Sequence, residues 1–485
     1  MPNIGFIRDE VSDKLDQYKL IRDCIEGEPA IKAGKERYLK KPQTSGDPQE
    51  IELRYKSYIF MASFFWVAGR TLEGLIGQVF SREPSIELPK ELEFLVDNVD
   101  GSGNSLIQQS KRSLGDTVSL GRAGLLADFP KLEPGQATTK ADLETGRIRP
   151  RIVYYGAERI INWEEENIGG EMVLTMLMLK EEIETRPDRY EIEKEDRWRE
   201  FRLIDGWVYV TIWKENPEKS KEEPYLVVEG PFPLFDHRQA PVDKILFSFI
   251  GAKNNDSTVD DAPMMGICSI NVKHFTNSAD LEESNHIAGN ATLVVSGLTQ
   301  AWKDQNFKNG IHMGTRGALI LPVGGKAELI QSEANSATLV LMKHKEDQMR
   351  ALGAKLIVDA IVPETATGKA IEATSEASVL ASSAGNVSEA YRKVILMAGS
   401  FIGEFDPEKI LFEFNTDFTF SGMDAQERAQ LIAEWHAEVI TWEEARSALR
   451  RAGIATQEDV EAKQQIEVEA AARGEFKEDP QNLNA

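Results

Sequence analysis

A long helix followed by a strand is predicted by CSINVKHFTNSADLEESNHIAGNATLVVSG, residues 268–297, with the helix running from Cys268 to Ile287. A second long helix is predicted by SATLVLMKHKEDQMRALGAKLI, residues 336–357. Its apolar side chains fall on roughly one face: Leu339, Met342, Met349, Leu352 and Leu356. The residues between contain a predicted short helix, 298–307, and two predicted strands, ALILP and KAELIQS, joined across Gly324-Gly325. This part of the sequence therefore predicts a helix, a small α/β insert and a second helix.

The residues before this segment predict an antiparallel sheet. Residues 150–235 are rich in β-branched and aromatic side chains, and Asp205-Gly206 between two such runs is a strong hairpin signal. The acidic runs Glu164–Glu166 and Glu181–Glu182 are interpreted as solvated turns. Residues 1–50 are polar and predict an arm with short helices.

Helices are predicted on both sides of the sheet region and at the end of the chain. Residues 51–80 predict a buried helix and then a second helix, packed closely at Gly69, Gly74 and Gly77. A helix full of small residues is predicted from Ala370 to Ile402, with a kink at Gly385-Asn386. Residues 410–420 alternate like a strand that rejoins the earlier sheet. Capping boxes at Asp424/Glu427 and Thr441/Glu444 predict a helical C-terminal module.

The composition is acidic and restricts the function classes. Eighty Asp and Glu against 56 Lys and Arg give a formal charge of −24, which argues against a protein that binds nucleic acid by neutralising phosphates. The two cysteines, Cys24 and Cys268, lie far apart in sequence and form no CxxC pair, so neither a disulfide framework nor a zinc site is predicted. The longest apolar run, Tyr58 to Ala68, is too short to cross a bilayer. With no signal-peptide pattern at the N-terminus, we expect an intracellular protein without a membrane span.

No motif in the sequence predicts catalysis. The glycines of Gly310–Gly317 lack the Lys-Ser/Thr of a Walker loop, and Gly101-Ser102-Gly103 lacks the third glycine of a dinucleotide fingerprint. Residues 97–104 gather oxygen donors but lack the alternating acids and closing Glu of a calcium loop. The six histidines include no pair at helical metal-site spacing. We therefore expect no enzyme, no cofactor and no metal.

Several stretches carry a family resemblance. They are RYKSYIFMASFFWVAGRTLEGLIGQVFSREP (54–84), LGRAGLLADFP (120–130), RPRIVYYGAERIINW (149–163), NSADLEESNHIAGNATLVVSG (277–297), MRALGAKLIVD (349–359) and TATGKAIEATSEASVLAS (365–382). Together with the element order, they resemble the portal proteins of tailed bacteriophages, in the portal family first catalogued as a phage domain of unknown function. The resemblance runs from about residue 50 to 460 and brings no catalytic signature.

The resemblance implies an α+β subunit of a homo-oligomeric ring of twelve chains at one capsid vertex. Such a ring is the conduit for genome packaging and ejection, and its partners are the major capsid protein, the terminase large subunit, the tail adaptor and double-stranded DNA passing without sequence-specific binding. It is a virion protein, present in the host cytoplasm during assembly. The implied domains are an N-terminal arm (1–50), wing (51–265), stem helix 1 (266–288), clip (289–335), stem helix 2 (336–357), tunnel loop (358–368), wing helix and returning strand (369–420), and crown and tail (421–485).

Charge distribution supports this map at one point. Residues 289–357 carry eight basic and five acidic residues, whereas 404–485 carry eight basic and nineteen acidic ones. We hypothesise that Lys303, Lys308 and Arg316 of the implied clip contact the packaging motor and the tail adaptor. In the implied tunnel loop, Asp359 and Glu364 precede the first basic residue, Lys369, so this loop is expected to touch DNA without gripping it. The alternative is an intracellular enzyme or a non-viral scaffold with no recognisable site.

Overall fold

The computed structural model describes residues 3–130, 149–218, 223–236, 238, 240–289, 292–300, 302, 304, 321, 323–330, 336–356, 378–403, 405–416, 418, 425–437, 439–451, 454–455, 459, 462–466 and 468. The chain divides into two compact units, Met1–Thr416 and Asp417–Ala485. The first unit combines helices with antiparallel sheets, and helices are the regular structure described in the second. The predicted α+β class is confirmed.

The first helix of the chain is part of the packed core. It is α1 (Asp9–Glu26), and α2 (Glu28–Ala33) follows it directly. Val11, Tyr18 and Ile21 of α1 are fully buried, because their spacing places them on one side of the helix. The expectation of only short helices in this region is wrong for α1, which has 18 residues.

The two helices predicted at residues 51–80 are confirmed as α3 (Pro48–Met61) and α4 (Val67–Val79). The Asp47 side chain caps α3 by accepting from the backbone N–H of Gln49. The expectation that the first of these helices is buried holds only for one side of α3, because Tyr55 and Tyr58 are buried whereas Phe60 is 82% exposed.

The glycines of this segment differ in their surroundings. A Cβ added at Gly69 would lie 2.2 Å from Nε1 of Trp66, so the indole packs directly over this backbone position. A Cβ at Gly74 or Gly77 would have no described atom within 4 Å. Trp66 is the N-cap residue of α4 itself, so the predicted close packing of the two helices at these glycines is wrong within the described residues.

A three-stranded antiparallel sheet lies at the centre of the first unit. Helix α5 (Phe94–Asp97) and helix α6 (Leu106–Leu120) precede it, and Gly121 (φ 80°) turns the chain from α6 into the central strand. The strand order is β3-β2-β9, with β2 at Arg122–Asp128, β3 at Arg151–Gly156 and β9 at Phe247–Gly251. All of β2 is buried.

The predicted antiparallel sheet at residues 150–235 is confirmed by a five-stranded meander that includes most of that region. Its strands pair in chain order: β4 (Ile160–Ile168), β5 (Glu171–Thr185), β6 (Glu193–Ile204), β7 (Trp207–Glu215) and β8 (Tyr225–Pro233). Asp205 (φ 52°) and Gly206 (φ 77°) form the predicted two-residue hairpin turn between β6 and β7.

The acidic runs of this sheet lie in strands and not in turns, so that interpretation is wrong. Glu164–Glu166 belong to β4, and Glu181–Glu182 belong to β5. Tyr155 donates its hydroxyl hydrogen bond to Glu181, and Lys194 lies 2.8 Å from Glu182 on the neighbouring strand. A half-solvated strand alternates its faces, so acidic side chains on such a strand can face water or cross-strand cations.

Arg122 joins the two sheets. Its guanidinium carbon lies 4.2 Å from the ring centroid of Trp163 on β4 and 5.0 Å from that of Phe249 on β9. Its Nη1 donates to the carbonyl oxygens of Ser257 and Thr258 at 2.9 Å. Burial lowers the pKa of Arg122 to about 10. Cation–π contacts around this buried side chain are thus one of the links between the two sheets.

The second half of the first unit begins with the predicted helix–insert–helix. The helices are α7 (Met265–Gly289) and α8 (Ser336–Lys355), and the insert contains the antiparallel hairpin of β10 (Thr292–Ser296) and β11 (Lys326–Ile330). Both long helices and both of these strands are confirmed. The predicted helix at 298–307 and strand at 318–322 lie mostly outside the described residues.

The chain then returns to the body of the unit through α9 (Val379–Gly399). Ser378 caps this helix with extended backbone, so a helix running unbroken from Ala370 is wrong. Gly385 and Asn386, where the sequence predicts a kink, lie inside α9, and the helix continues through both residues.

Strand β12 (Leu411–Glu413) pairs with β1 (Ser85–Glu87) in a separate two-stranded sheet, so the expected return to the earlier sheet is wrong. The ladder still joins residues more than 300 positions apart, because Phe412 of β12 is fully buried beneath α9 and stacks on Tyr391.

The second unit contains α10 (Ala425–His436) and α11 (Trp442–Arg451). The predicted capping box at Thr441 and Glu444 is confirmed: Glu444 accepts from the Thr441 backbone N–H at 2.7 Å, and Thr441 Oγ1 accepts from the Glu444 N–H at 3.2 Å. Asp424 lies outside the described residues.

Candidate functional site

Two antiparallel helices and a hairpin form an elongated element, here called the stalk (α7, β10, β11 and α8). A Cβ added at Gly266 would lie 3.6 Å from Leu352, and Lys345 donates to the carbonyl of Lys273 at 3.0 Å. These pairs run in opposite order along α7 and α8, which makes the helices antiparallel. At about 1.5 Å per residue, α7 is about 37 Å long. Short connections place the hairpin at the end where α7 finishes and α8 begins.

The first half of α7 is fixed to the N-terminal helices by polar contacts. Asn271 donates to the carbonyl of Phe65 at 2.8 Å, and the Ser278 hydroxyl donates to the carbonyl of Ser63 at the same distance. Both acceptors lie in the linker between α3 and α4, whose carbonyls are free of helical hydrogen bonds. This linker therefore holds α7 by its exposed backbone.

A buried histidine lies between the two stalk helices. His274 of α7 is 4% exposed, and its Nε2 is 3.5 Å from a carboxylate oxygen of Glu346 on α8. Burial lowers the pKa of His274, and the nearby carboxylate only partly opposes this effect. The imidazole is therefore neutral near pH 7.

The apolar side chains of α8 divide into a packed half and an exposed half. Of the expected apolar face, Met349 and Leu356, which directly follows α8, are buried, and Met342 and Leu352 are half-buried, whereas Leu339 is 46% exposed. Val340 and Leu341 lie outside that predicted face and are 68% and 47% exposed. Burial of the expected face therefore increases toward the C-terminal end of α8.

Exposed apolar side chains continue on the rest of the stalk. Ile287 near the end of α7 is 53% exposed, and Val294 of β10 is 39% exposed. Exposed apolar side chains gathered on one element favour an interaction surface there. Three consecutive apolar residues at 339–341 span more than one helical face, and this pattern in the sequence could have identified the surface.

The helix that follows the stalk is anchored by a buried tyrosine. Tyr391 of α9 is fully buried, and its hydroxyl lies 2.9 Å from Ser113 Oγ and 3.1 Å from Gln109 Oε1 of α6. Gln109 in turn donates to the carbonyl of Ile152 at 2.8 Å. Burial raises the pKa of Tyr391, so this hydroxyl stays protonated and can donate. Helix α9 is thus connected to α6 and to β3 by one buried hydrogen-bonded network.

The residues singled out from the sequence lie outside the described residues. This applies to the proposed clip contacts, Lys303, Lys308 and Arg316, and to Asp359, Glu364 and Lys369 of the proposed tunnel loop. Their roles stay predictions.

The described residues include neither a cluster of metal-ligating side chains nor a helix that could span a membrane. They contain no group of three or more His, Cys, Asp or Glu side chains that could hold a metal ion. In residues 97–104, the Asp100 carboxylate accepts from Ser102 and Asn104, so its oxygens are used within the loop. Among the helices described, none is long and apolar enough to cross a bilayer.

Comparison with known proteins gives one family match. The family described as Domain of unknown function (DUF4055) matches residues 263–402, less than a third of the chain. No curated protein matches the sequence.

Solved structures of gene transfer agent (GTA) particles resemble the chain at low identity. A chain from the neck of an empty GTA particle computed with C6 symmetry is 14% identical, covers 86% of this chain and 98% of its own, and has a TM-score of 0.39. A chain from the neck of a native GTA particle computed with C12 symmetry is 15% identical, covers 79% and 89%, and has a TM-score of 0.36. Scores below 0.5 do not establish a common fold. The segment that matches the family begins just before α7 and ends just after α9. The part of the chain that is similar to this family therefore includes the stalk and the helix that returns from it.

Proposed function

We propose that this chain is a phage portal protein, twelve copies of which form a ring at one capsid vertex. The ring serves as the conduit for genome packaging and ejection and as the docking site for the packaging motor and the tail adaptor. The observation that carries the proposal is the exposed apolar surface of the stalk, which a single chain leaves in water.

The stalk has the shape and chemistry of a self-associating element. Its root is fixed to the body through Asn271 and Ser278, whereas Leu339, Val340 and Leu341 at its far half are 46–68% exposed. Rigid helices with exposed apolar side chains are stabilised when neighbouring copies cover them. Head-to-tail repetition of one such contact closes a ring when the rotation between neighbours divides the circle evenly.

The sequence resemblance supports the choice of a portal ring. The stretches similar to phage portals include both ends of the stalk, and the matched family segment covers the whole of it. On this basis α7 and α8 are the two stem helices, the hairpin of β10 and β11 belongs to the clip, and the meander sheet belongs to the wing. Lys303, Lys308 and Arg316 then face the motor and adaptor, and residues 358–368 face the DNA path.

The acidic composition fits a conduit better than a binding protein. Each chain carries −24, so a twelve-membered ring surrounds its channel with a large excess of acidic groups. Tight phosphate contacts would have to break with every step of the moving polymer, whereas an acidic wall repels DNA over a Debye length of about 8 Å at physiological salt. DNA therefore passes and is not held. No enzymatic activity is part of this proposal.

Size-exclusion chromatography with light scattering tests the ring directly. Twelve chains of 54.2 kDa give a particle on the order of 650 kDa, and electron microscopy of the same fraction should show rings with a central hole. A chain that stays monomeric at high concentration, or that forms only the dimers and tetramers usual for enzymes, would contradict the proposal and favour the alternative of an intracellular enzyme or a non-viral scaffold.

A further inference from the structure

The two cysteines of the chain meet where α1 packs against α7. Cys24 and Cys268 are 244 positions apart in sequence, yet Sγ of Cys24 lies 3.8 Å from the carbonyl oxygen of Cys268. Both side chains are fully buried at this contact between the two helices. The chain contains no other cysteine, so each of these thiols has one possible intrachain partner.

The surroundings keep this pair unreactive while it is reduced. Contact with Cys268 and burial together raise the pKa of the Cys24 thiol. The thiolate is the reactive form, so little of it is present near neutral pH. An oxidant must also reach two side chains with no exposed surface. The pair therefore reacts when α1 separates from α7, or while the chain is folding.

We propose that Cys24 and Cys268 form an intrachain disulfide that locks α1 onto α7 when a small disulfide such as oxidised glutathione is present. In this exchange, one thiolate attacks the oxidant to give a mixed disulfide and release one glutathione thiolate. The second cysteine then displaces the other glutathione. The two cysteines lose two protons and two electrons, and the oxidant is reduced to two thiols.

The bond would connect distant parts of the fold. It closes a loop that contains α3 to α6 and both large sheets, because these lie between positions 24 and 268 in the chain. Closing so long a loop removes much conformational freedom from the unfolded chain. In the folded chain it would fix the root of the stalk to α1 by a covalent bond. The inference concerns a single chain and does not depend on ring formation.

Refolding the full chain from denaturant in a glutathione redox buffer tests the proposal. After alkylation of free thiols, mass spectrometry should find that most of the monomeric chain carries no alkyl group and has a mass two hydrogens below that of the reduced chain. A proteolytic digest should contain a peptide pair in which Cys24 is linked to Cys268. Non-reducing electrophoresis should show a faster band that a reductant abolishes. The thermal midpoint of the oxidised chain should lie several degrees above that of the reduced chain.

The variants Cys24→Ser and Cys268→Ser are the matched controls, because each removes one sulfur from the same contact. Neither should give the fast band or the oxidant-dependent rise in thermal midpoint. A second measurement adds the same buffer to the folded wild type, where cross-linking should be slow and should accelerate in urea below the unfolding transition. Quantitative alkylation of both thiols after oxidative refolding, or cross-links only between chains, would overturn the proposal.

Discussion

Replacing the exposed apolar run of α8 should prevent assembly without unfolding the chain. The variant carries Leu339→Gln, Val340→Gln and Leu341→Gln together. These side chains are 46%, 68% and 47% exposed, so their loss removes little packing from the single chain. Glutamine is a good helix former, so α8 itself should persist.

The expected effect follows from the area that a neighbouring subunit would cover. Full burial of a Leu or Val side chain stabilises by about 1.5–3 kcal/mol, so covering the remaining half to two-thirds contributes about 1 kcal/mol for each residue. Three such residues give about 3 kcal/mol at each subunit contact. Since about 1.4 kcal/mol corresponds to a tenfold change, each contact should weaken roughly 100-fold.

The assay is light scattering across a concentration series, with circular dichroism on the same samples. The triple variant should need a far higher concentration to form the large particle, while its helix content and thermal midpoint as a monomer match the wild type. Leu396→Gln on α9 is the matched control, because Leu396 is 47% exposed on a helix outside the stalk. Assembly of the triple variant at the wild-type concentration would refute the assignment of this surface to subunit contacts.

Two further predictions concern buried side chains. The pKa of His274 is lowered in the folded chain from its ordinary value of 6.5 by burial, with Glu346 and Lys345 the charged groups facing it, so the unfolded chain binds the extra proton more readily. The free energy of unfolding should therefore have its higher value above about pH 6.5 and should fall as the pH drops below that value. Urea midpoints at several pH values measure this, and His274→Gln should flatten that part of the profile. Tyr391→Phe should lower the free energy of unfolding by about 1–3 kcal/mol, because it leaves Gln109 Oε1 without this donor. Denaturant titration checks it, and an unchanged midpoint would show that the hydroxyl contributes nothing.

Much of the fold could be predicted because its signals are local. The meander sheet follows from alternating β-branched and aromatic residues, and its β6–β7 turn follows from Asp205-Gly206, since both residues adopt positive φ there. The Thr441–Glu444 capping box needs residues only three positions apart. The stalk helices follow in the same way from continuous helical patterns ended by a glycine-containing loop.

Several of the wrong expectations depended on contacts that a linear pattern does not show. The acidic residues of β5 were predicted to lie in a turn, because the sequence pattern does not show that they accept hydrogen bonds from Tyr155 and Lys194. Strand β12 forms where the alternating pattern predicts a strand. Its pairing with β1 depends on the burial of Phe412, which strand propensity does not show. Likewise, nothing in the sequence distinguishes Gly69, covered by an indole, from Gly74, which faces open space.

The sequence by itself determined the α+β class, the order helix–insert–helix, the meander sheet and the acidic charge that argues against tight DNA binding. Only the tertiary structure decided that Cys24 touches Cys268, that His274 faces Glu346, and that Leu339, Val340 and Leu341 of α8 stay about half or more exposed. The physical reason is the distance along the chain over which each kind of interaction acts. Helix and strand patterns are set by neighbours a few residues apart, whereas burial and contact are set by packing between segments that hundreds of residues separate.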